Sequence, residues 1–327
     1  MKKITVIGFG SWGIALACLL AENGHSVTAW EFNPDMAARL DAEREHKTFL
    51  PGVKIPDSIR ITHDWAKAAE NADVFLITLP SHAVAQAIPQ FVPYFSGKIV
   101  VNASKGLVEG KRICQFLAEI APGCKIAALT GPSHAEEVGR HMPTTVVAAS
   151  PCEETAKAVQ DIFSGGNFRV YTTPDIIGAE LGGAVKNVIA LAAGIVDGLG
   201  FGDNTKAALM TRGLAEIARL GMAMGAEEHT FAGLSGIGDL IVTCTSPHSR
   251  NWRAGNLLAK GKPADEVLKE IGMVVEGIHT AKTAQELARK HGVDMPIVEE
   301  INKVLFEGKN PKDAVVDLML RDKKDEH

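Results

Sequence analysis

The chain has 327 residues, of which 46% are apolar and 22% charged, and a formal net charge of −5. That length exceeds one typical core and predicts two domains, while the composition excludes a disordered or fibrous protein. Charges of both signs are spread along the sequence, with only the tail at 321–327 dense in them, so nucleic acid is not an expected partner.

The start, MKKITVIGFGSWGIALACLL, has two lysines before an apolar run, as a secretory signal does. Glycines at functional spacing interrupt that run and no small-residue cleavage site follows, so it reads as a strand entering a helix that continues through Leu20. Short β-rich runs follow at 26–30, 73–80, 98–104 and 125–131, with helical patterns between them. This is the rhythm of a parallel sheet covered on both faces, and the segments 144–150 and 168–173 are expected to extend it. After Pro174 the β pattern stops and helical spacing takes over, as in 207–225 and 280–292. The expected architecture is α/β: a Rossmann-type, mostly parallel sheet with helices on both faces over 1–176, then an all-helical domain over 177–327. Small-molecule sites tend to form between two such domains. The Gly/Ala-rich stretch 176–202 carries Glu180, Lys186 and Asp197, which leaves no uncharged run of the roughly 20 residues that a membrane span needs.

Gly8-Phe9-Gly10-Ser11-Trp12-Gly13 fits G-x-G-x-x-G between a predicted strand and a predicted helix. In that context the first glycine permits the tight turn, the second lets the backbone approach a pyrophosphate, and the third allows close helix–strand packing. Glu31 stands 18 positions beyond Gly13, near the end of the second predicted strand. A carboxylate there accepts hydrogen bonds from ribose hydroxyls and repels a 2′-phosphate, so NAD(H) is expected to be favoured over NADP(H). The competing readings are a glycine turn that binds nothing and a Glu31 that faces solvent.

Lys186 is the basic residue in an otherwise small and apolar helical stretch, beside Gly182, Gly183 and Asn187. Partial burial would lower its pKa toward the working pH and suit it to acid/base work; the alternative is a lysine that snorkels or is salt-bridged at the helix edge. Further on, Asp239 follows a Gly-rich turn, and Ser249-Arg250-Asn251 leads into a helix. A hydroxyl, a guanidinium fork and an amide at a helix start can receive a phosphate, or can simply be an N-cap followed by a surface arginine. The five cysteines, Cys18, Cys114, Cys124, Cys152 and Cys244, are scattered without a C-x-x-C pair, so neither disulfides nor zinc is predicted and a reducing cytoplasm fits best. Cys244 sits in an apolar run and reads as core. The eleven histidines are dispersed and suggest no metal site; His82 and His134 are placed at the cleft by their positions.

From end to end the chain resembles bacterial NAD(P)-dependent glycerol-3-phosphate dehydrogenase. The resemblance rests on GFGSWG, NASKGL at 102–107, TGPSHAEEV at 130–138, ELGGAVKNVIALAAG at 180–194, GDLIVTCTSPHSRN at 238–251 and VVEG at 274–277. It implies reversible reduction of dihydroxyacetone phosphate to sn-glycerol 3-phosphate, a homodimer, and supply of phospholipid synthesis. By the same resemblance Lys186 is the proton donor and acceptor at C2, with Asn187 and Asp239 beside it. Lys105 reaches substrate and cofactor; Gly131 and Ser133 border the substrate; Ser249, Arg250 and Asn251 take its phosphate and hydroxyls. Further cofactor contacts fall on Ser11, Trp12, Ala135, Arg250, Val274 and Glu276, beside Gly8, Gly10 and Gly13. Two departures stand out. Many relatives that use NADPH carry a basic residue or histidine where this chain has Trp30-Glu31-Phe32-Asn33. The family's tyrosine before its Leu-Pro-Gly is here Phe49, which keeps the packing against the cofactor and loses a hydroxyl. The rival readings are a two-domain dehydrogenase for a β-hydroxy acid or phosphogluconate, which should lack the SRN segment, and an NAD(H) sensor without turnover, which has no need of Lys105, Lys186, Asp239 and Arg250 together.

Overall fold

The computed structural model describes residues 1–323, 325 and 326. Its ten strands are β1 (Lys3–Ile7), β2 (Ser26–Trp30), β3 (Arg60–Thr62), β4 (Val74–Ile77), β5 (Ile99–Asn102), β6 (Leu107–Val108), β7 (Lys111–Arg112), β8 (Lys125–Thr130), β9 (Thr144–Ala149) and β10 (Phe168–Thr173). Eight of them form one sheet in the order β10-β9-β8-β5-β4-β1-β2-β3, and β6 and β7 form a separate small hairpin. Ile4 and Val6 of β1, with Val74 and Leu76 of β4, pack into the layer on one face, while Ile7, Phe75 and Ile77 pack into the other. Both faces are covered, which is why these strands read as unbroken apolar runs. Chain order reverses around β1, which lies between β2 and β4, and the crevice at the carboxyl ends of such strands is where ligands bind in this kind of sheet.

The sheet is mostly parallel, as expected, but β8 and β9 pair antiparallel. Their connection contains only the four-residue helix Ala135–Val138, too short to carry the chain back along a strand, whereas the 11-residue helix Glu153–Phe163 makes a full crossover and leaves β9 and β10 parallel. Three strands escaped the sequence reading: β3 is three residues long in a polar stretch, and β6 and β7 are two residues each.

Beyond β10 the chain is helical around one hub, the helix Ile176–Gly198, which is buried from Gly178 to Val196. Asp175 caps it: Oδ1 accepts from Gly178 N at 2.8 Å, and Oδ2 accepts from Glu227 N and Thr230 Oγ1. The hub is long and apolar enough to cross a membrane, yet 89% of its apolar window is buried inside this structure. Helix Arg250–Ala259 crosses it at backbone contact. A Cβ on Gly194 would stand 1.9 Å from Trp252 O, and one on Gly255 would stand 2.0 Å from Leu191 O. Any larger residue at either position forces the two helices apart.

Candidate active site

Gly8 makes the turn and Gly13 the close packing that the spacing predicts. Gly8 has φ +99, and its N–H donates to Trp30 O at 3.1 Å, which turns the chain off the end of β1. A Cβ on Gly13 would lie 2.1 Å from Gly8 O, so only glycine lets helix Ser11–Glu22 start this close to the strand. No side chain caps that helix at Gly10, and its first N–H groups are left for an anion. These features fit a dinucleotide's pyrophosphate. Trp12 Nε1 donates to Ala103 O at 3.1 Å, which ties the loop to the end of β5. Phe49 stacks on His46 with ring centroids 4.2 Å apart, and its ring lies 4.0 Å from where a Cβ of Gly10 would be. Ala135, which opens the short helix after β8, packs with Trp12 onto the same apolar layer.

Glu31 follows β2 and is buried rather than turned to solvent. Its Oε1 accepts from Asn33 N at 3.1 Å. Burial pushes its carboxyl above the usual range, and the Asn33 N–H pulls in the opposite direction.

The second group of residues gathers at the hub helix. Lys186 is 4% exposed and sits in the middle of the helix, so it does not snorkel. Its Nζ donates to Asp239 Oδ1 at 2.6 Å and to Thr243 Oγ1 at 2.5 Å. Asp239, the first residue of helix Asp239–Thr245, presents its other oxygen to Lys105 Nζ at 2.9 Å. Lys105 Nζ also donates to Gly131 O at 2.8 Å and Ser133 Oγ at 3.2 Å. One carboxylate therefore serves two ammonium groups. Burial is the largest influence on Lys186 and draws its pKa down to about 8; Asp239 opposes this and Lys105 reinforces it. For Asp239 burial pushes up, but Lys105 and Lys186 outweigh it and leave the carboxyl below its ordinary value. Thr243 was not found from sequence; its position one helical turn after Asp239 was the available signal.

A chain of amides links this cluster to the start of the next helix. Asn187 Nδ2 donates to Lys105 O at 3.1 Å, Asn251 Nδ2 donates to Asn187 Oδ1 at 2.9 Å, and Gly277 N donates to Asn251 Oδ1 at 2.8 Å. Ser249 is indeed an N-cap, its Oγ accepting from Trp252 N at 3.2 Å. Arg250 is not a surface arginine: it is half-buried, and its Nη1 donates to Val274 O at 3.0 Å. Burial lowers its pKa, while Glu276 and Glu136 raise it. Glu276 reaches across to the sheet half, where Oε1 accepts from Ser81 N at 2.9 Å and Oε2 accepts from Ser81 Oγ at 2.5 Å. Ser81 is a second residue the sequence did not single out.

The structure thus brings Lys105, Gly131, Ser133, Lys186, Asn187, Asp239 and Asn251 into one hydrogen-bonded cluster, with Ser249, Arg250, Val274 and Glu276 along its border. Glu31 stands apart from it, beyond the glycine loop. Cys244 is fully buried, its thiol pushed up to about 12 mainly by burial, which fits a core residue. His134 faces the cluster, its Nε2 3.3 Å from Val242 O, and burial lowers its pKa. His82 is exposed against the ring of His279. Among the described residues no group of three His, Cys, Asp or Glu side chains is placed to hold a metal ion.

Two family models cover the chain. Residues 3–156 match the N-terminus of NAD-dependent glycerol-3-phosphate dehydrogenase, and residues 175–316 match its C-terminus. The chain belongs to this family. A glycerol-3-phosphate dehydrogenase (NAD(P)+) of Desulfitobacterium hafniense strain Y51 is 54% identical over 329 residues, covering 100% of this chain and 93% of the relative. The one from Bacillus subtilis strain 168 is 52% identical over 329 residues and covers 99% and 95%. Among solved structures, the glycerol-3-phosphate dehydrogenase of Coxiella burnetii superimposes with a TM-score of 0.95 at 36% identity, over 98% of this chain and 99% of that one. As a glycerol-3-phosphate dehydrogenase family member, the chain combines a Rossmann-like sheet with a helical C-terminal half and depends on NAD(P).

Proposed function

We propose that this chain reduces dihydroxyacetone phosphate to sn-glycerol 3-phosphate, reversibly, and that Lys186 passes the proton. The observation that carries this reading is the cluster of buried Lys186 and Asp239 with half-buried Lys105 beside the glycine loop. The division of labour follows the two halves, with 1–176 binding the dinucleotide and 177–327 supplying the acid/base and phosphate-binding groups.

When bound, the nicotinamide supplies the hydride that reaches C2. Lys186, protonated below about pH 8, gives a proton to the C2 oxygen as negative charge develops there. In the oxidative direction its neutral amine takes the proton back. Asp239 stays ionised and holds both ammonium groups, and Lys105 adds a second positive charge that favours the alkoxide. Gly131 and Ser133 border the substrate, and Asn187 holds the backbone of Lys105. Ser249, Arg250 and Asn251 receive the phosphate and hydroxyls, the guanidinium offering paired donors that a phosphate accepts. On the cofactor side, Gly8, Gly10, Ser11, Trp12 and Gly13 take the pyrophosphate, and Phe49 and Ala135 flank it. Lys105, Arg250, Val274 and Glu276 border the nicotinamide half.

Glu31 is the basis for a preference for NAD(H). Its Oε2 has no protein partner among the described residues and can accept from a ribose hydroxyl, whereas a 2′-phosphate would meet a carboxylate. Family membership supports a homodimer that works in the cytoplasm and feeds phospholipid synthesis. The reading is tested by following absorbance of the reduced cofactor with dihydroxyacetone phosphate and NADH or NADPH in parallel. Rapid loss of NADH over NADPH is the expected result. Oxidation of neither, by folded protein that still binds cofactor, overturns the assigned reaction.

A further inference from the structure

Glu180 precedes Lys186 on the hub helix and is 8% exposed, although its carboxylate takes no part in the steps above. Its Oε1 accepts from Asn102 Nδ2 at 3.0 Å and from Cys114 N at 2.9 Å, and its Oε2 accepts from Arg112 Nη1 at 2.7 Å. An ionised carboxylate can only accept, so Asn102 has to turn its NH2 toward Glu180. That choice aims Asn102 Oδ1 at Ser104 N, 3.0 Å away, and so fixes the turn between β5 and Lys105. From the other side Asn187, on the same helix as Glu180, holds Lys105 O. The hub helix therefore grips the Lys105 turn at two points and also carries Lys186.

We infer that Glu180 is a positioning residue for turnover, acting through the amide of Asn102 to set Lys105 against Asp239 and the substrate. An apolar contact could join the sheet to the hub as firmly, and a buried ion pair is weak as an adhesive because both charges lose water. An apolar side chain cannot decide which way an amide points. The inference rests on the reading that Lys105 touches substrate.

The test is a double-mutant cycle on kcat/KM for dihydroxyacetone phosphate, with NADH affinity and thermal midpoint measured on each protein. Asn102→Ala leaves the Arg112–Glu180 pair in place and is expected to lower kcat/KM about tenfold with NADH affinity unchanged. In a Lys105→Ala background the same change is expected to cost nothing further. Additive losses, or a lowered midpoint with kcat/KM intact, overturn the inference and leave Glu180 as a joint between the two halves. Asn102→Asp serves as a second variant of the same shape. It sets a carboxylate against Glu180 with Arg112 as the facing cation, so it should lose activity relative to the parent near neutral pH. Activity should return at lower pH, as a proton shared between the two carboxyls restores the donor. A profile parallel to the parent's contradicts the relay. If Lys105→Ala alone leaves turnover unchanged, the reading of Lys105 fails and the inference falls with it, an outcome distinct from additivity.

Discussion

Lys186 Nζ lies 2.6 Å from Asp239 Oδ1, both groups almost wholly buried, and still the ammonium is drawn down to about 8. Desolvation is the larger effect, and the single carboxylate is shared with Lys105, whose own charge disfavours a second cation. A lone buried pair would hold the lysine more firmly protonated. The shared carboxylate instead leaves a proton that can be given and recovered near neutral pH.

The direction of the pH dependence follows. On the role proposed for Lys186, reduction needs its protonated form, so kcat should be level at lower pH and fall as pH rises through about 8, while oxidation of glycerol 3-phosphate should rise over the same interval. Lys186→Ala should lower kcat by about a hundredfold or more and leave NADH affinity nearly unchanged. Steady-state rates in both directions, with cofactor binding followed by fluorescence, check this. Turnover that survives the substitution would remove Lys186 from its role.

Cofactor choice is predicted to turn on Glu31. Glu31→Ala removes both the ribose acceptor and the repulsion, so kcat/KM for NADH should fall while that for NADPH rises, moving their ratio about tenfold. An unchanged ratio would mean that the buried carboxylate serves only to accept from Asn33 N.

Arg250 is expected to act mainly on binding. A charge-assisted hydrogen bond contributes about 1.5–3 kcal/mol, so Arg250→Ala should raise KM for dihydroxyacetone phosphate by roughly ten- to a hundredfold, with a smaller fall in kcat. Arg250→Lys should recover only part of this, because an ammonium cannot offer the planar fork. Initial rates at saturating cofactor decide it; a KM equal to the parent's would return Arg250 to its contact with Val274 O.

Much of this site was legible because its parts lie on regular elements whose periodicity is written in the sequence. The glycine loop announced itself through steric needs local to one turn, and Lys186 through a charge in an apolar helix. What brings Lys105, Asp239 and Lys186 to one point is packing between segments far apart in the chain, and no local pattern encodes it; here the family resemblance carried the assignment. Thr243 and Ser81 were missed for the same reason, since a hydroxyl on a helix has many bland uses and only its partners, Lys186 and Glu276, distinguish these two. The antiparallel β8–β9 pair was missed because strand patterns specify burial and leave direction to the length of the connection.

Away from the site, Glu216 predicts how stability responds to pH. It is 2% exposed, on helix Asp203–Ala223, and accepts from Ile297 N at 2.8 Å and Val298 N at 3.3 Å at the start of helix Pro296–Phe306. Burial raises its pKa from 4.5 to about 7, against the opposing pull of those two N–H groups. The folded protein therefore keeps a proton there that the unfolded chain gives up near its ordinary value. Its stabilising share is complete below about pH 4.5, declines as pH rises to about 7, and is flat above that. At 1.36 kcal/mol per pKa unit the whole effect is about 3 kcal/mol. Glu216→Gln cannot ionise, so the stability difference between about pH 5 and about pH 8 should shrink by most of that, about 2.5 kcal/mol, relative to the parent. Denaturant unfolding of both proteins at the two pH values measures it. Equal pH dependence in the two would show that Glu216 is already ionised in the folded protein, held by the Ile297 and Val298 N–H groups that outweigh its burial.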